Sequence, residues 1–391
     1  MLLEPFTTRA LLLDVSRGVM PTLDQFKALI DRLVAANMTA ICLYLEPQSW
    51  SSEAWPALDP DYPTLTPNTL RAIDAYCTAR GLTIIPAIQS LGHMTALVSH
   101  PDWSHLALSD ERWSIKPCPE TYDLLGRLYA DILACYSGPY VHACMDEPTD
   151  LLPSDRYSHA VAMGYLPPLD YQPRTMRGTV AAIDLYAHHL HAMQAIAYQH
   201  GKKMILWDDI LAQHPALVCD VPRSSIVASW FYAPLSDDDA IHLSALHSIG
   251  IETWVTASTH GHDTRLSVAE RCQRARANID AQVLLGRTHG STGFCLAAWG
   301  DGGYNPLDAA LDAALAHLIT AHVPIPPLDR QTRYAVYSAL QRVYGRAVRI
   351  SESTMGMEMA ERKTLHADKR RYVPMDALAA ITGTCQEAHR L

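Results

Sequence analysis

Eight short apolar runs alternate with seven periodic segments of helical length between residues 10 and 322, and this alternation constrains the fold more than any other feature. The strand-like runs are Ala10–Val15, Thr39–Leu45, Leu82–Ile88, Tyr140–Cys144, Lys203–Trp207, Ser225–Trp230, Ile251–Ala257 and Gly293–Trp299. Between or after them the spacing predicts helices over Leu23–Ala36, Pro67–Arg80, Glu120–Tyr136, Thr179–His200, Asp237–Ser248, Leu266–Leu284 and Pro306–His322. Thr22 and the Thr66-Pro67 pair are start signals, and Gly81, Gly201 and Gly250 are stop signals placed just before the next strand.

Strict strand–helix alternation implies parallel strands joined by right-handed crossovers, and eight such units predict an α/β protein built as a (β/α)8 TIM barrel. An open doubly wound sheet would carry a glycine-rich turn after its first strand, where this chain reads Asp14-Val15-Ser16-Arg17. The Pro-rich links Leu166–Pro173 and Val323–Pro327 read as loops. The expected organisation is a catalytic barrel over residues 1–325 and a helical C-terminal extension over 326–391 packed on it.

Composition narrows the partners. With 31 Lys plus Arg against 41 Asp plus Glu, a net charge of −10, the chain lacks the basic footprint that nucleic acid requires. The first residues, MLLEPFTTR, have neither a cationic nor an apolar leader segment, and no run is long enough to cross a bilayer, so a cytoplasmic location without membrane contact is expected. Nine cysteines are scattered with no C-x-x-C spacing, which favours reduced, mostly buried thiols.

A barrel of this kind places its site at the carboxyl ends of its strands. There the chain offers Asp14 and Arg17 after strand one, Gln89 and His93 after strand three, Asp146-Glu147 after strand four and Trp207-Asp208-Asp209 after strand five. Trp230 and Tyr232 follow strand six, and Trp299-Gly300-Asp301 follow strand eight. Tryptophans beside carboxylates and an arginine suit a sugar, whose C–H faces stack on rings while its hydroxyls bind charged groups. In Val141–Glu147 alternation sets His142, Cys144 and Asp146 on one face, with Glu147 just past the ladder. Adjacent carboxylates of this kind tend to separate in pKa, one ionised and one able to carry a proton, as glycosidic cleavage needs.

These residues resemble glycoside hydrolase family 20, the β-N-acetylhexosaminidases, and within it the hexosaminidase D-like members built of little beyond the catalytic barrel. The resemblance runs over residues 10–305 through LLLDVSR (11–17), IPAIQSLGHM (85–94), VHACMDEP (141–148), MILWDDIL (204–211) and AAWGDGG (297–303). It implies an exo-acting, retaining hydrolysis in which the sugar's own 2-acetamido oxygen attacks the anomeric carbon, with no cofactor and no metal. By the same resemblance Asp146 would orient the acetamido group, and Glu147 would be the general acid and base. Arg17 and Asp301 would bind the outer hydroxyls, Trp207, Trp230 and Trp299 would wall the sugar, Asp208 would contact it or its support, and His93 would support the acid pair.

Two departures stand out: Cys144 and Met145 occupy positions where family members usually have glycine, and Tyr232 takes the place of a tyrosine expected after strand seven. The expected partner is a carbohydrate ending in N-acetylhexosamine, with a homodimer as one candidate assembly. Two competing readings are a silent carbohydrate-binding barrel and a metal-dependent barrel hydrolase. The latter classically has a His-x-His pair on strand one, where this chain has Asp14 and Arg17.

Overall fold

The structure, a computed structural model, describes residues 6–17, 19–152, 182–232, 237–263, 265–301 and 305–322. Eight parallel strands close into a barrel in sequence order: β1 (Thr8–Asp14), β2 (Ala40–Leu45), β3 (Thr83–Ile88), β4 (Tyr140–His142), β5 (Lys203–Trp207), β6 (Ile226–Trp230), β7 (Glu252–Ser258) and β8 (Gly293–Ala298). β8 returns to β1 with Leu11 opposite Leu296 and Leu13 opposite Ala298, so no sheet edge is left. The α/β barrel expected from the sequence is therefore the observed fold.

Nine α-helices are described: α1 (Leu23–Ala35), α2 (Pro67–Thr78), α3 (Thr95–Ser99), α4 (Pro119–Leu133), α5 (Ala182–Gln199), α6 (Asp209–Gln213), α7 (Asp237–Ser248), α8 (Val268–Thr288) and α9 (Ala309–His322). Local chemistry sets their ends. Thr22 caps α1 by accepting the Gln25 N–H at 3.3 Å while Gln25 accepts the Thr22 N–H at 2.8 Å, a reciprocal capping box. The same device at Ser267 and Glu270 starts α8 two residues later than the apolar period suggested. None of the described helices is long and apolar enough to cross a membrane. The links at 166–173 and 323–327 and the extension over 326–391 lie outside the described residues.

Side-chain alternation divides each strand between two buried clusters. Leu11, Leu13, Ile41, Leu43, Ile84, Val141, Leu206, Val227, Val255 and Phe294 belong to the cluster shared with the helices. Ala10, Leu12, Cys42, Ala87, Ile205, Ala228, Cys295 and Ala297 form the second, joined by Tyr44, Trp207, Trp230, Trp254 and Trp299. Small residues in mid-barrel make room for these rings. The clearest case is Gly293, paired with Trp254 across the ladder, where an added Cβ would lie 2.4 Å from the indole. Trp254 is thus core, whereas Trp207, Trp230 and Trp299 terminate or follow their strands at the carboxyl end.

Candidate active site

β1 ends in a buried carboxylate that fastens two strands. Asp14 accepts the Ser16 N–H on Oδ1 at 3.0 Å, while its Oδ2 takes Arg17 Nη1 at 2.7 Å and the Gly300 N–H, just beyond β8, at 2.9 Å. Arg17 also faces Glu46 at 3.4 Å and Asp301 at 3.7 Å, and it lies over the Tyr44 and Trp299 rings at 5.0 and 5.5 Å. A guanidinium held by three acids and two rings has a fixed direction, which suits a clamp for sugar hydroxyls. Tyr44 and Glu46 were not singled out in the sequence. They share the inward parity of Cys42, and that signal could have found them.

At the end of β4, Asp146 and Glu147 converge on one imidazole. His93 Nε2 lies 3.4 Å from Asp146 Oδ2 and 3.5 Å from Glu147 Oε2. Burial by itself would lower the His93 pKa, but the two carboxylates, Asp146 foremost, outweigh it and push it up to about 10. Asp146 is also buried, which opposes its ionisation. The charge of His93 and the hydrogen bond from Gln89 Nε2 at 2.7 Å nevertheless hold its carboxyl below the usual range. Asp146 is therefore an anion at neutral pH, paired with an imidazolium.

Among the described residues, His93, Asp146 and Glu147 are also the group whose ligand atoms, within 4.8 Å of one another, could enclose a metal ion. Binding a cation there would release the proton that the two carboxylates favour on His93.

The aromatic wall stands beside this trio. Gln89, which binds Asp146, also donates to the Tyr44 hydroxyl at 3.0 Å, and Tyr44 meets Trp299 edge to face at 5.0 Å. Trp299 lies 6.4 Å from Trp207, and its indole N–H donates to the Tyr232 hydroxyl at 2.9 Å. Tyr232 in turn contacts Trp230 at 5.2 Å and stacks on His262 at 4.9 Å. The acids, Arg17, His93, Trp207, Trp230, Tyr232, Trp299 and Asp301 are thereby gathered at one end of the barrel.

The catalytic-domain profile of glycosyl hydrolase family 20 matches residues 6–244, more than half of the chain. This chain belongs to that family. Among curated relatives, a β-hexosaminidase of Coccidioides posadasii is 22% identical over 255 residues and one of Vibrio furnissii is 23% identical over 260. In both cases the match spans 58% of this chain but only 40% of the relative. The crystal structure of a β-N-acetylhexosaminidase from Bacteroides fragilis has the same fold, with a TM-score of 0.61 at 16% identity over 88% of this chain and 71% of that one.

Where family 20 members usually carry glycine, Cys144 and Met145 adopt the backbone that glycine would allow. Their φ angles are 57° and 70°, and Glu147 follows at 47°. Each such conformation costs a non-glycine residue about 1 kcal/mol or more. The turn ends β4 at His142, two residues before the apolar run does, although Ala143 N–H still donates to Ile205 at 2.8 Å and Cys144 still accepts from Trp207 at 3.1 Å. Neighbouring groups hold the turned backbone: Ser90 Oγ donates to the Ala143 carbonyl at 2.7 Å, and Trp113 Nε1 donates to the Glu147 carbonyl at 2.6 Å. Gly92 packs so closely that a Cβ would stand 2.4 Å from the Asp146 carbonyl oxygen.

Three further placements refine the sequence reading. Asp208, expected to contact the sugar or its support, is fully buried, with Oδ1 accepting the Trp230 N–H at 3.2 Å and Oδ2 lying 3.3 Å from His242 Nε2 on α7. It supports Trp230 from outside, because Trp207 faces inward and the next residue must alternate. Asp209 instead reaches the acid pair, with Oδ2 accepting the Glu147 N–H at 3.0 Å. His142 is a structural group: its Nδ1 accepts the Cys144 N–H at 3.0 Å, its ring packs 4.3 Å from Trp207, and burial pushes its pKa down to about 3.

Proposed function

We propose that this protein is an exo-acting β-N-acetylhexosaminidase that removes terminal β-linked N-acetylglucosamine or N-acetylgalactosamine with retention of configuration. The observation that carries this reading is the convergence of Asp146 and Glu147 on His93 at 3.4 and 3.5 Å beside the Trp299–Tyr232 pair. Family membership and the β-hexosaminidase names of the curated relatives support it.

In this mechanism the substrate's acetamido oxygen attacks the anomeric carbon while Glu147 donates a proton to the departing glycosidic oxygen. Asp146, anionic and fixed by Gln89 and His93, accepts the acetamido N–H, which aligns the group and stabilises the positive charge that develops on it. Glu147 then takes a proton from water as the water opens the oxazoline-like intermediate. Tyr232 donates to the acetamido oxygen, Arg17 and Asp301 bind the outer hydroxyls, and Trp207, Trp230 and Trp299 enclose the ring.

Replacing Glu147 by Gln tests the assignment. Hydrolysis of a 4-nitrophenyl β-N-acetylhexosaminide should fall by about 10²- to 10⁴-fold while N-acetylglucosamine still binds. A wild-type protein that binds the sugar and hydrolyses no β-N-acetylhexosaminide would instead be a carbohydrate-binding barrel.

A further inference from the structure

Asp209 is a fully buried carboxyl for which the proposed reaction has no direct use. It opens α6, a helix of five residues, yet it does not cap that helix. Its Oδ2 accepts the Glu147 N–H at 3.0 Å, and among the described residues its Oδ1 has no hydrogen-bond partner. A buried acid whose one hydrogen bond goes to the peptide of a left-handed residue has a specific task there, since burying the group is otherwise unfavourable.

Glu147 is gripped on both of its peptide groups. From the β3 side Trp113 donates to its carbonyl at 2.6 Å, and Gly92 leaves room for the preceding carbonyl. From the β5 side the hold on its N–H comes from Asp209. These bonds fix the backbone from which the Glu147 side chain departs.

We propose that Asp209 is the positioning residue for the general acid: it holds the Glu147 peptide in the left-handed turn from which the carboxyl reaches the departing oxygen. This rests on the reading of Glu147 given above. Burial foremost, and then the negative charge of Asp146, push the Asp209 carboxyl well above the ordinary carboxylate range. The peptide N–H needs only an acceptor oxygen from this side chain. Asparagine is the isostere of the neutral carboxyl, and its amide oxygen can accept the same bond.

The test compares Asp209→Asn, Asp209→Ala and Asp209→Leu in the full chain on two substrates. One is an N-acetylglucosamine disaccharide, whose poor leaving group needs protonation; the other is the 2,4-dinitrophenyl glycoside, whose leaving group does not. Asp209→Ala should lower kcat on the disaccharide at least tenfold and on the dinitrophenyl glycoside less than threefold, with KM within threefold of wild type. Asp209→Asn should stay within fivefold of wild type on both. Asp209→Leu, which fills the volume without an acceptor, should behave like Asp209→Ala and keeps the contrast available if the alanine variant does not fold.

Equal losses on both substrates, no loss at all, or an Asn variant as impaired as the Ala variant would overturn the proposal while leaving the hydrolase reading intact. A wild-type chain inactive on both substrates would overturn the reading of Glu147 and this proposal together.

Discussion

The indole N–H of Trp299 donates to the Tyr232 hydroxyl at 2.9 Å, joining the end of β8 to the second residue after β6. A phenol that accepts this bond keeps its own proton for another acceptor. Burial above all holds that proton on Tyr232 well beyond the normal phenol range. The contact fixes the ring and leaves a directed donor beside the acid pair, the property required of the group that binds an acetamido oxygen.

Replacing Tyr232 by Phe should therefore lower kcat on a 4-nitrophenyl β-N-acetylglucosaminide by about 10²- to 10³-fold, the usual effect of removing one donor aimed at a reacting oxygen. KM should change far less. A loss under threefold in steady-state kinetics would remove Tyr232 from the acetamido site.

Gly92 provides a steric test of the turn. Because an added Cβ would meet the Asp146 carbonyl oxygen at 2.4 Å, Gly92→Ala should push the acid pair out of place. A cost of about 1–3 kcal/mol in denaturant unfolding is expected, together with a fall in kcat of tenfold or more. A variant with wild-type kinetics would show that the turn tolerates displacement.

The His93 pair sets a pH dependence of stability. Its pKa is raised from the 6.5 of a free imidazole to about 10 in the folded protein, so its contribution is complete below pH 6.5. As pH rises from there to about 10, the unfolded chain gives up its proton first, and the contribution is lost. Urea unfolding across this window should show wild type losing on the order of a few kcal/mol that His93→Gln does not lose. Parallel pH profiles for the two proteins would contradict the pairing.

Much of this was legible because local signals and the global fold agree. Gly81, Gly201 and Gly250, expected to stop helices, all have positive φ, and the capping threonines stand where they were expected. The end of β4 was less legible, because Cys144 and Met145 carry ordinary strand residues into a left-handed turn that only glycine would have announced. Asp208 takes the supporting role that the sequence left open for it, and counting outward from Trp207 also assigns Asp209, which the sequence placed at the rim without a role, to the side of the acid pair. Trp113 comes from an irregular segment between α3 and α4, where neither period applies, so nothing in the sequence foretold its bond to Glu147.

The most direct measurement of the central claim compares turnover of 4-nitrophenyl β-N-acetylglucosaminide with that of the matching 2-hydroxy glucoside by the same wild-type protein. If the acetamido oxygen is the nucleophile that Asp146 aligns, the first is hydrolysed and kcat/KM for the second is lower by at least 10³-fold. Comparable rates on the two sugars would show that the enzyme itself supplies the nucleophile and would contradict the account.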